Sequence, residues 1–326
     1  MLYMDGAMKT VFNLTTDLYD LGRFKNQNEL ESLMAGFDGI ELMYVGDDTR
    51  GIIKKEYVTG FHMYAFPYWF DMWKGNEQAL LDEFGTPEDC ERYYGGTTRD
   101  ALIGKMKAEL EIALRYEAEY VVFHVADSSI TESLTRHFRH TDEEIVEAAC
   151  EFINNVFHDT LPLKLLLENL WFPGLTFTRP EITRLLLDGI KHKNTGIMLD
   201  TGHLLHTNTN LRTQEEGIKY IHQMLDKHGE LCGRINGVHL NQSLTGEFAV
   251  CTMNNPPSLA ETFSERVNQH YAYIFQLDRH QPFTCGGVAG LIKRISPDYL
   301  TFEFITNSLE EHRKLLAIQM AEISHY

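Results

Sequence analysis

The sequence predicts an α/β protein: a closed (β/α)8 barrel with elaborated loops on its C-terminal face. Short apolar runs alternate with amphipathic helical patterns, and no low-complexity linker divides the 326 residues. Near-continuous apolar strands that alternate with helices are typical of a parallel sheet covered by helices. Eight such units favour closure into a barrel, and an open doubly wound sheet remains the structural alternative.

The elements follow one another in a regular order. Strands are predicted over residues 10–16, 39–44, 58–65, 120–125, 163–169, 195–199, 235–241 and 299–305. Helices are predicted over residues 28–36, 100–117, 142–157, 180–190, 213–228, 287–295 and 308–324. Thr98 and Thr141 are expected to cap two of these helices, since each precedes acidic residues in the first turn. We expect residues 1–326 to form a single domain, because α/β barrels reach this length as one unit.

Two stretches exceed the minimal repeat. Residues 66–96 follow the third strand and are aromatic and acidic, and residues 244–277 follow the seventh strand and include a helical run over 259–275. In a barrel, segments that follow strands stand on the C-terminal face, where substrates bind. Their Trp and Tyr content favours a substrate lid over two decorative loops.

Composition limits the choice of partners and compartment. The net charge of −18 argues against a polyanionic partner such as nucleic acid, because phosphate binding depends on Lys and Arg. The five cysteines form no CxxC pair, which indicates reduced thiols in a cytoplasmic protein. No apolar stretch of 18 residues occurs, so a membrane partner is not expected. A homo-oligomer remains open.

Most of nine polar residues of metal-ligating type lie inside or at the ends of six apolar runs, where burial without a partner is costly. One such residue is ordinarily a satisfied core histidine or a salt-bridged acid. Six strands that each deliver one or two of them point instead to strand ends converging on a metal site. The candidates are His62, His124, Glu168, Asp200, His203, His239, Asp278, His280 and Glu303.

The motifs around these residues resemble those of the xylose isomerase-like TIM barrels. This superfamily holds sugar isomerases, sugar epimerases and the apurinic endonuclease IV enzymes (AP endonuclease family 2). The similarity spans nearly the whole chain, from GFDGIEL at residues 36–42 to the LTFEF strand. Between them, LLLENL, GIMLDTGH, GVHLNQS and LDRHQPF are similar to the family's Glu-Asn, Asp-x-x-His, His-Leu-Asn and Asp-x-His elements.

The resemblance implies a set of roles for the candidates. Glu168, Asp200, His239 and Glu303 match the four ligands shared by the isomerase and endonuclease branches. By similarity to endonuclease IV, His62 and His124 join Glu168 at a first ion, and His203, Asp278 and His280 form a further site. The implied cofactor is one to three divalent ions, Zn²⁺ or Mn²⁺, and the alternative for each acid is a buried ion pair with Lys or Arg.

Departures from the family patterns decide the expected reaction. Gly202 stands where the endonuclease branch has a cysteine, and neither that branch's DNA-inserting motif nor the epimerases' GExxR segment is visible. The leading expectation is a sugar or sugar phosphate isomerase or epimerase, in which the metal stabilises an enediolate while Glu168 and Glu303 move the proton. The alternative is an endonuclease IV-like trinuclear zinc hydrolase of phosphoesters. A non-catalytic barrel is disfavoured because all four central ligands are present.

Overall fold

The structure is a computed structural model that describes residues 8–324. Its eight strands are β1 Lys9–Thr15, β2 Gly39–Met43, β3 Val58–His62, β4 Tyr120–His124, β5 Lys164–Glu168, β6 Thr195–Asp200, β7 Ile235–Leu240 and β8 Tyr299–Phe302. Each strand pairs in parallel with the next, and β8 pairs with β1 to close the barrel. The predicted (β/α)8 barrel is therefore confirmed over the open sheet, although β3 and β8 end three residues earlier than predicted.

Fifteen α-helices are assigned within residues 8–324. They are α1 Leu18–Leu21, α2 Gln27–Met34, α3 Phe70–Lys74, α4 Glu77–Phe84, α5 Pro87–Tyr94, α6 Arg99–Arg115, α7 Ile130–Thr135, α8 Asp142–Val156, α9 Pro180–Gly189, α10 Thr201–His206, α11 Gln214–His228, α12 Gly246–Asn254, α13 Phe263–Leu277, α14 Val288–Ile295 and α15 Leu309–Ser324. Short 3₁₀ turns occupy Lys55–Tyr57 and Gly229–Arg234. Among these described helices, none is long and apolar enough to cross a membrane.

The seven helices predicted between strands are all present, with ends shifted by one or two residues. Thr141 caps α8 as expected, since its side chain accepts from the backbone N–H of Glu144 and the Glu144 side chain bonds back. Thr98 occupies the N-cap position of α6 but makes no side-chain capping bond, so only half of that prediction holds.

The strands place successive side chains on opposite sides of the barrel wall. On β4, Val121 and Phe123 pack toward the helices, whereas Tyr120 and Val122 join a small cluster inside the barrel. Because the period is two, the next inward position on β4 is His124 at the end of the strand. The inward-facing residues of β4 therefore end at His124, which lies at the mouth of the barrel.

The two long insertions form helices that meet above the mouth; we call α3–α5 together with α12–α13 the cap. The rings of Phe84 and Phe263 lie 4.4 Å apart, which joins the first insertion to the second. A separate apolar cluster lies in the loops after β4, β5 and β7 and includes Ile130, Trp171 and Tyr273. The insertions that looked like a lid in the sequence thus pack against each other on the C-terminal face.

Candidate metal centre

Seven of the nine candidate residues lie at or just beyond the carboxyl ends of the strands. His62, His124, Glu168 and Asp200 are the last residues of β3, β4, β5 and β6, His239 is the penultimate residue of β7, Glu303 follows β8, and His203 lies in the first turn of α10. The last two, Asp278 and His280, follow α13 on the long insertion after β7. The parallel barrel brings all these ends to one face.

The nine side chains form three adjoining groups, in each of which the ligand-type atoms lie within 4.8 Å of one another. The first site contains His62, His124 and Glu168. The central site contains Glu168, Asp200, His239 and Glu303, and the outer site contains His203, Asp278 and His280. The structure therefore brings together every residue that the sequence predicted.

Glu168 stands between the sites, and histidines contact both of its carboxylate oxygens. Oε2 lies 3.2 Å from Nε2 of His62 and 3.0 Å from Nε2 of His124. Oε1 lies 3.2 Å from Nδ1 of His239 and 3.3 Å from Nδ1 of His203. A fully buried carboxylate with this arrangement can bridge two cations.

Main-chain carbonyls fix the tautomers of three histidines. Nδ1 of His62 donates to the Met63 carbonyl at 3.1 Å, Nδ1 of His203 to the Asn169 carbonyl at 2.9 Å, and Nδ1 of His280 to the Glu303 carbonyl at 3.2 Å. When neutral, each ring then carries its lone pair on Nε2, which faces Glu168 from His62 and Asp278 from His203 and His280. Metal-binding histidines are held in this way, with the ring nitrogen that does not bind the ion donating to a carbonyl.

The two oxygens of Asp278 have separate partners. Oδ2 faces His203 at 3.2 Å and His280 at 2.8 Å, and Oδ1 accepts from Ser243 at 3.0 Å and contacts His206 at 3.2 Å. The Ser243 hydroxyl also accepts the backbone N–H groups of residues 279 and 280. These bonds hold His280 in a left-handed conformation (φ 45°), which is uncommon for a non-glycine residue and is concentrated at functional sites.

The acids of the cluster have imidazole partners in place of Lys or Arg. Within residues 8–324, every ion pair of Glu168, Asp200, Asp278 and Glu303 is with a histidine. Lys164, the basic residue nearest to Glu168 in sequence, instead pairs with Asp298 at the other end of the strand. The salt-bridge alternative for these acids therefore has no support here.

Burial and mutual charge shift the pKa values strongly. Burial raises the pKa of Asp200 to about 7. Burial would also raise the pKa of Glu168, but the neighbouring His124 and His239 hold it well below its usual range. Burial opposes the charged form of His203, yet Asp200 and Asp278 raise its pKa well above the ordinary value. Such perturbed values in a concave site are typical of functional clusters.

The donor set fits divalent cations. Three carboxylates and an imidazole in the central site are ligands suited to Mn²⁺, Mg²⁺, Co²⁺ or Zn²⁺, and the imidazole-rich flanking sites suit Zn²⁺. Oε2 of Glu303 is buried and accepts no hydrogen bond within the described residues, although Nδ1 of His239 lies 3.2 Å away. A buried carboxylate oxygen that accepts no hydrogen bond and faces this cluster fits a cation ligand.

Two residues of the cluster were missed in the sequence. Glu41 on β2 lies in an apolar run, the same signal that identified the others, but it was used only to recognise the GFDGIEL motif. His206 lies on α10 three residues after His203, and its contact with Asp278 joins segments more than 70 residues apart. No local pattern reports a contact of that kind.

The cluster is covered except on one side. Trp171 packs over His203 and His206, with ring centroids 5.1 and 4.6 Å apart. Side-chain exposure among the ligands is highest at His124, at 22%, and Glu303, at 12%. The cluster is therefore most accessible from the side of His124 and Glu303.

Comparisons with known proteins identify the family of this barrel. The family described as xylose isomerase-like TIM barrel matches residues 32–311. Comparison with curated protein sequences finds no match.

Solved structures similar to this chain come from both branches of the superfamily. Endonuclease IV from Thermus thermophilus superposes with a TM-score of 0.52 at 15% identity, over 98% of this chain and 100% of that chain. A D-psicose 3-epimerase studied in the presence of D-fructose gives 0.50 at 11% identity, over 97% and 99%. A provisionally assigned xylose isomerase from Rhodospirillum rubrum gives 0.54 at 14% identity, over 98% of each chain. At these identities the similarity establishes the fold alone.

Proposed function

The chain belongs to the xylose isomerase-like TIM barrel family, and we propose that it is a multinuclear metal-dependent hydrolase of a phosphoester on a small sugar-like substrate. The observation that carries this proposal is the contact of both Glu168 oxygens with histidines of three adjoining ligand groups. A bridging carboxylate of this kind supports a cluster of ions over a single one, and such clusters serve in-line displacement at phosphorus.

Each site would hold one ion through the residues that define it, with Glu168 shared between the first and central sites. Bound divalent ions supply Lewis acidity and lower the pKa of a water. Two hydrogen bonds fix the orientation of the Asp200 carboxylate in the central site. Oδ1 accepts the backbone N–H of His203 at 2.6 Å, and Oδ2 accepts from Asn241 at 2.8 Å. Hydrogen bonds of this kind orient ligands before the ion arrives.

We assign the role of general base to Glu303. Within the described residues, its carboxylate contacts with His239 and His280 run through Oε2, and the side chain lies on the accessible side of the cluster. The other oxygen, Oε1, can then accept a proton from the attacking water as general base. Glu168, with both oxygens engaged, is not free for that task.

The available Oε1 of Glu303 also supports a second candidate function, a sugar or sugar phosphate isomerase or epimerase. Oε1 would there remove the proton from the carbon beside the substrate carbonyl, and an ion held by the central site would supply Lewis acidity toward the substrate oxygens. An epimerase that uses a glutamate on each face also needs a free oxygen on Glu168, and its four histidine contacts leave none. The arrangement therefore favours a one-base reaction if the chemistry is isomerisation.

A small substrate fits the surroundings better than nucleic acid. The net charge is −18, and the cap covers most of the mouth with aromatic and acidic residues. We further propose that the cap and the barrel form one domain, because the Trp69 indole donates to the Ala126 carbonyl and the Trp69 backbone donates to Asp127 beside β4.

The test compares the two reactions on one preparation loaded with Zn²⁺ or Mn²⁺. Release of phosphate from a panel of sugar phosphates and cleavage of an abasic-site oligonucleotide report hydrolysis. Deuterium exchange into ketoses and ketose phosphates, followed by NMR, reports isomerisation. The proposal expects two or three ions per chain, phosphate release and no exchange.

Glu303→Gln is the informative variant, and Glu109→Gln is its matched control, because Glu109 is a buried acid on α6 paired with Lys105. We expect Glu303→Gln to lose about 10²–10⁴-fold in rate with a smaller loss of metal. Exchange into any ketose without hydrolysis would transfer the assignment to the isomerase. A wild-type chain that binds no metal would end both.

A further inference from the structure

Glu41 lies inside the barrel below the central site, and three partners surround its carboxylate. Oε2 accepts from the Tyr120 hydroxyl at 2.6 Å and from the Thr301 hydroxyl at 2.9 Å. Nε2 of His239 lies 2.9 Å from Oε1 and 3.1 Å from Oε2. The side chain is 1% exposed, and within residues 8–324 its ion pair is with His239.

The barrel wall is built to admit this network. In the strand register, Glu41 lies beside Gly60, and Gly60 lies beside Tyr120. A Cβ at Gly60 would stand 2.1 Å from the Tyr120 ring, so only glycine leaves room for the tyrosine to cross the interior and reach Glu41. Burying a carboxylate costs free energy unless it is hydrogen-bonded, and Tyr120 and Thr301 provide two such bonds, both to Oε2.

His239 presents its two nitrogens to different groups. Nδ1 faces the central site, 3.2 Å from Glu168 and from Glu303. Nε2 faces Glu41. In His62, His203 and His280, Nδ1 donates to a main-chain carbonyl. Among these four rings, His239 differs because both of its nitrogens contact carboxylates and neither bonds a main-chain carbonyl within the described residues.

We propose that Glu41 is a positioning residue for the central metal site: it holds the proton of His239 on Nε2 and thereby keeps the Nδ1 lone pair available for the ion. A carboxylate that accepts from a ligating imidazole also makes that imidazole a stronger ligand. This inference rests on the proposed metal-dependent function and deepens it by assigning the tautomer and its cause.

A competing interpretation makes Glu41 a ligand itself, because ligand-type atoms of Glu41, His62 and His239 also lie within 4.8 Å of one another. The contacts disfavour it. Nε2 of His62 faces Glu168 and His124, at 3.2 Å from each. Oε2 of Glu41 already accepts from Tyr120, Thr301 and His239. Oε1 accepts no hydrogen bond within the described residues and lies 2.9 Å from Nε2 of His239, so an ion there would compete with the proton on that nitrogen.

The experiment measures Zn²⁺ binding by equilibrium dialysis in wild type, Glu41→Gln, Tyr120→Phe and the Glu109→Gln control. The glutamine amide offers N–H to Nε2 of His239, which moves the ring proton to Nδ1 and blocks the central site. We expect about 10–100-fold weaker binding of one ion in Glu41→Gln, and near wild-type binding in Tyr120→Phe and the control. The visible spectrum of the Co²⁺ form should change only in Glu41→Gln, because a nitrogen donor is lost.

A second measurement does not depend on any variant folding. ¹⁵N NMR of the zinc-loaded wild type, labelled in histidine, reports which ring nitrogen binds the ion. We expect one ligating histidine bound through Nδ1 with its proton on Nε2, among others bound through Nε2. Ligating histidines that all bind through Nε2 would overturn the inference.

The remaining outcomes separate this inference from the proposed function. A wild-type chain without metal overturns both. Wild-type affinity in Glu41→Gln overturns the role of Glu41 alone, and so does a Tyr120→Phe loss as large as that of Glu41→Gln, since packing would then explain it. A fourth ion that is lost only in Glu41→Gln would make Glu41 a ligand and also overturn the inference.

Discussion

Replacing Asp127 with asparagine tests how the cap is held to the barrel. Asp127 follows β4, is 3% exposed, and accepts through Oδ1 from the backbone N–H groups of Trp69 at 2.6 Å and Phe70 at 2.8 Å, where α3 begins. Burial raises the pKa of Asp127 to about 7 from 3.8, against the lowering effect of those two hydrogen bonds. Asparagine keeps the accepting oxygen and carries no charge.

The size and sign of the effect follow from linkage. A carboxyl whose pKa is higher in the folded than in the unfolded chain contributes stability that is present below the unfolded value and lost as pH rises through the folded value. A shift of roughly three units corresponds to about 4 kcal/mol at most. Asp127→Asn should therefore be more stable than wild type at pH 8, with an advantage that grows by about 2–3 kcal/mol between pH 5 and pH 8.

Urea unfolding of chelator-treated protein at several pH values measures this difference, since the metal cluster then titrates alike in both chains. Asp127→Ala is the matched control. It removes the charge and also the acceptor, which leaves two buried N–H groups unpaired, so it should be less stable than Asp127→Asn at every pH by about 1–3 kcal/mol for each group. An Asp127→Asn chain that is less stable at pH 8, or a difference independent of pH, would refute the reasoning.

Three further outcomes are expected. Glu168→Gln should cost two ions, because Glu168 belongs to the first and central sites, and elemental analysis after dialysis would show a loss of one or none if the bridging role is wrong. Gly60→Ala should lower the free energy of unfolding by about 1–3 kcal/mol, because the added Cβ would clash with Tyr120. Its control, Gly104→Ala, lies in open space on α6 and should raise the free energy of unfolding by about 0.5–1 kcal/mol. Equal effects of the two variants in thermal unfolding would contradict the packing argument. Apparent Zn²⁺ affinity should rise with pH above about 6.5, the ordinary histidine value, because Asp200 and Asp278 raise the pKa of His203 despite its burial and protons then compete with the ion. A flat titration would count against its role as a ligand.

Much of the molecule could be predicted because its signals are local. The apolar character of a strand and the periodicity of a helix can be read from neighbouring residues. The eight strands and seven helices predicted in this way are therefore present within residues 8–324, with small shifts at their ends. A charged or imidazole residue in an apolar run is equally local, and together with the LDRHQPF element it identified nine residues of the cluster, although Glu41 and His206 were missed. The family resemblance is likewise borne out by the match over residues 32–311.

Tertiary structure alone decided which atoms meet. Closure between β8 and β1 fixes the register that sets Tyr120 and Thr301 on Glu41, although Glu41 and Thr301 are 260 positions apart. The contact of His206 with Asp278, the engagement of both Glu168 oxygens, and the packing of the two insertions against each other arise in the same way. A sequence pattern reports whether a side chain is buried and on which face of its element it lies. Its neighbour across the barrel depends on strand register and tilt, which the chain sets only when all eight strands have paired.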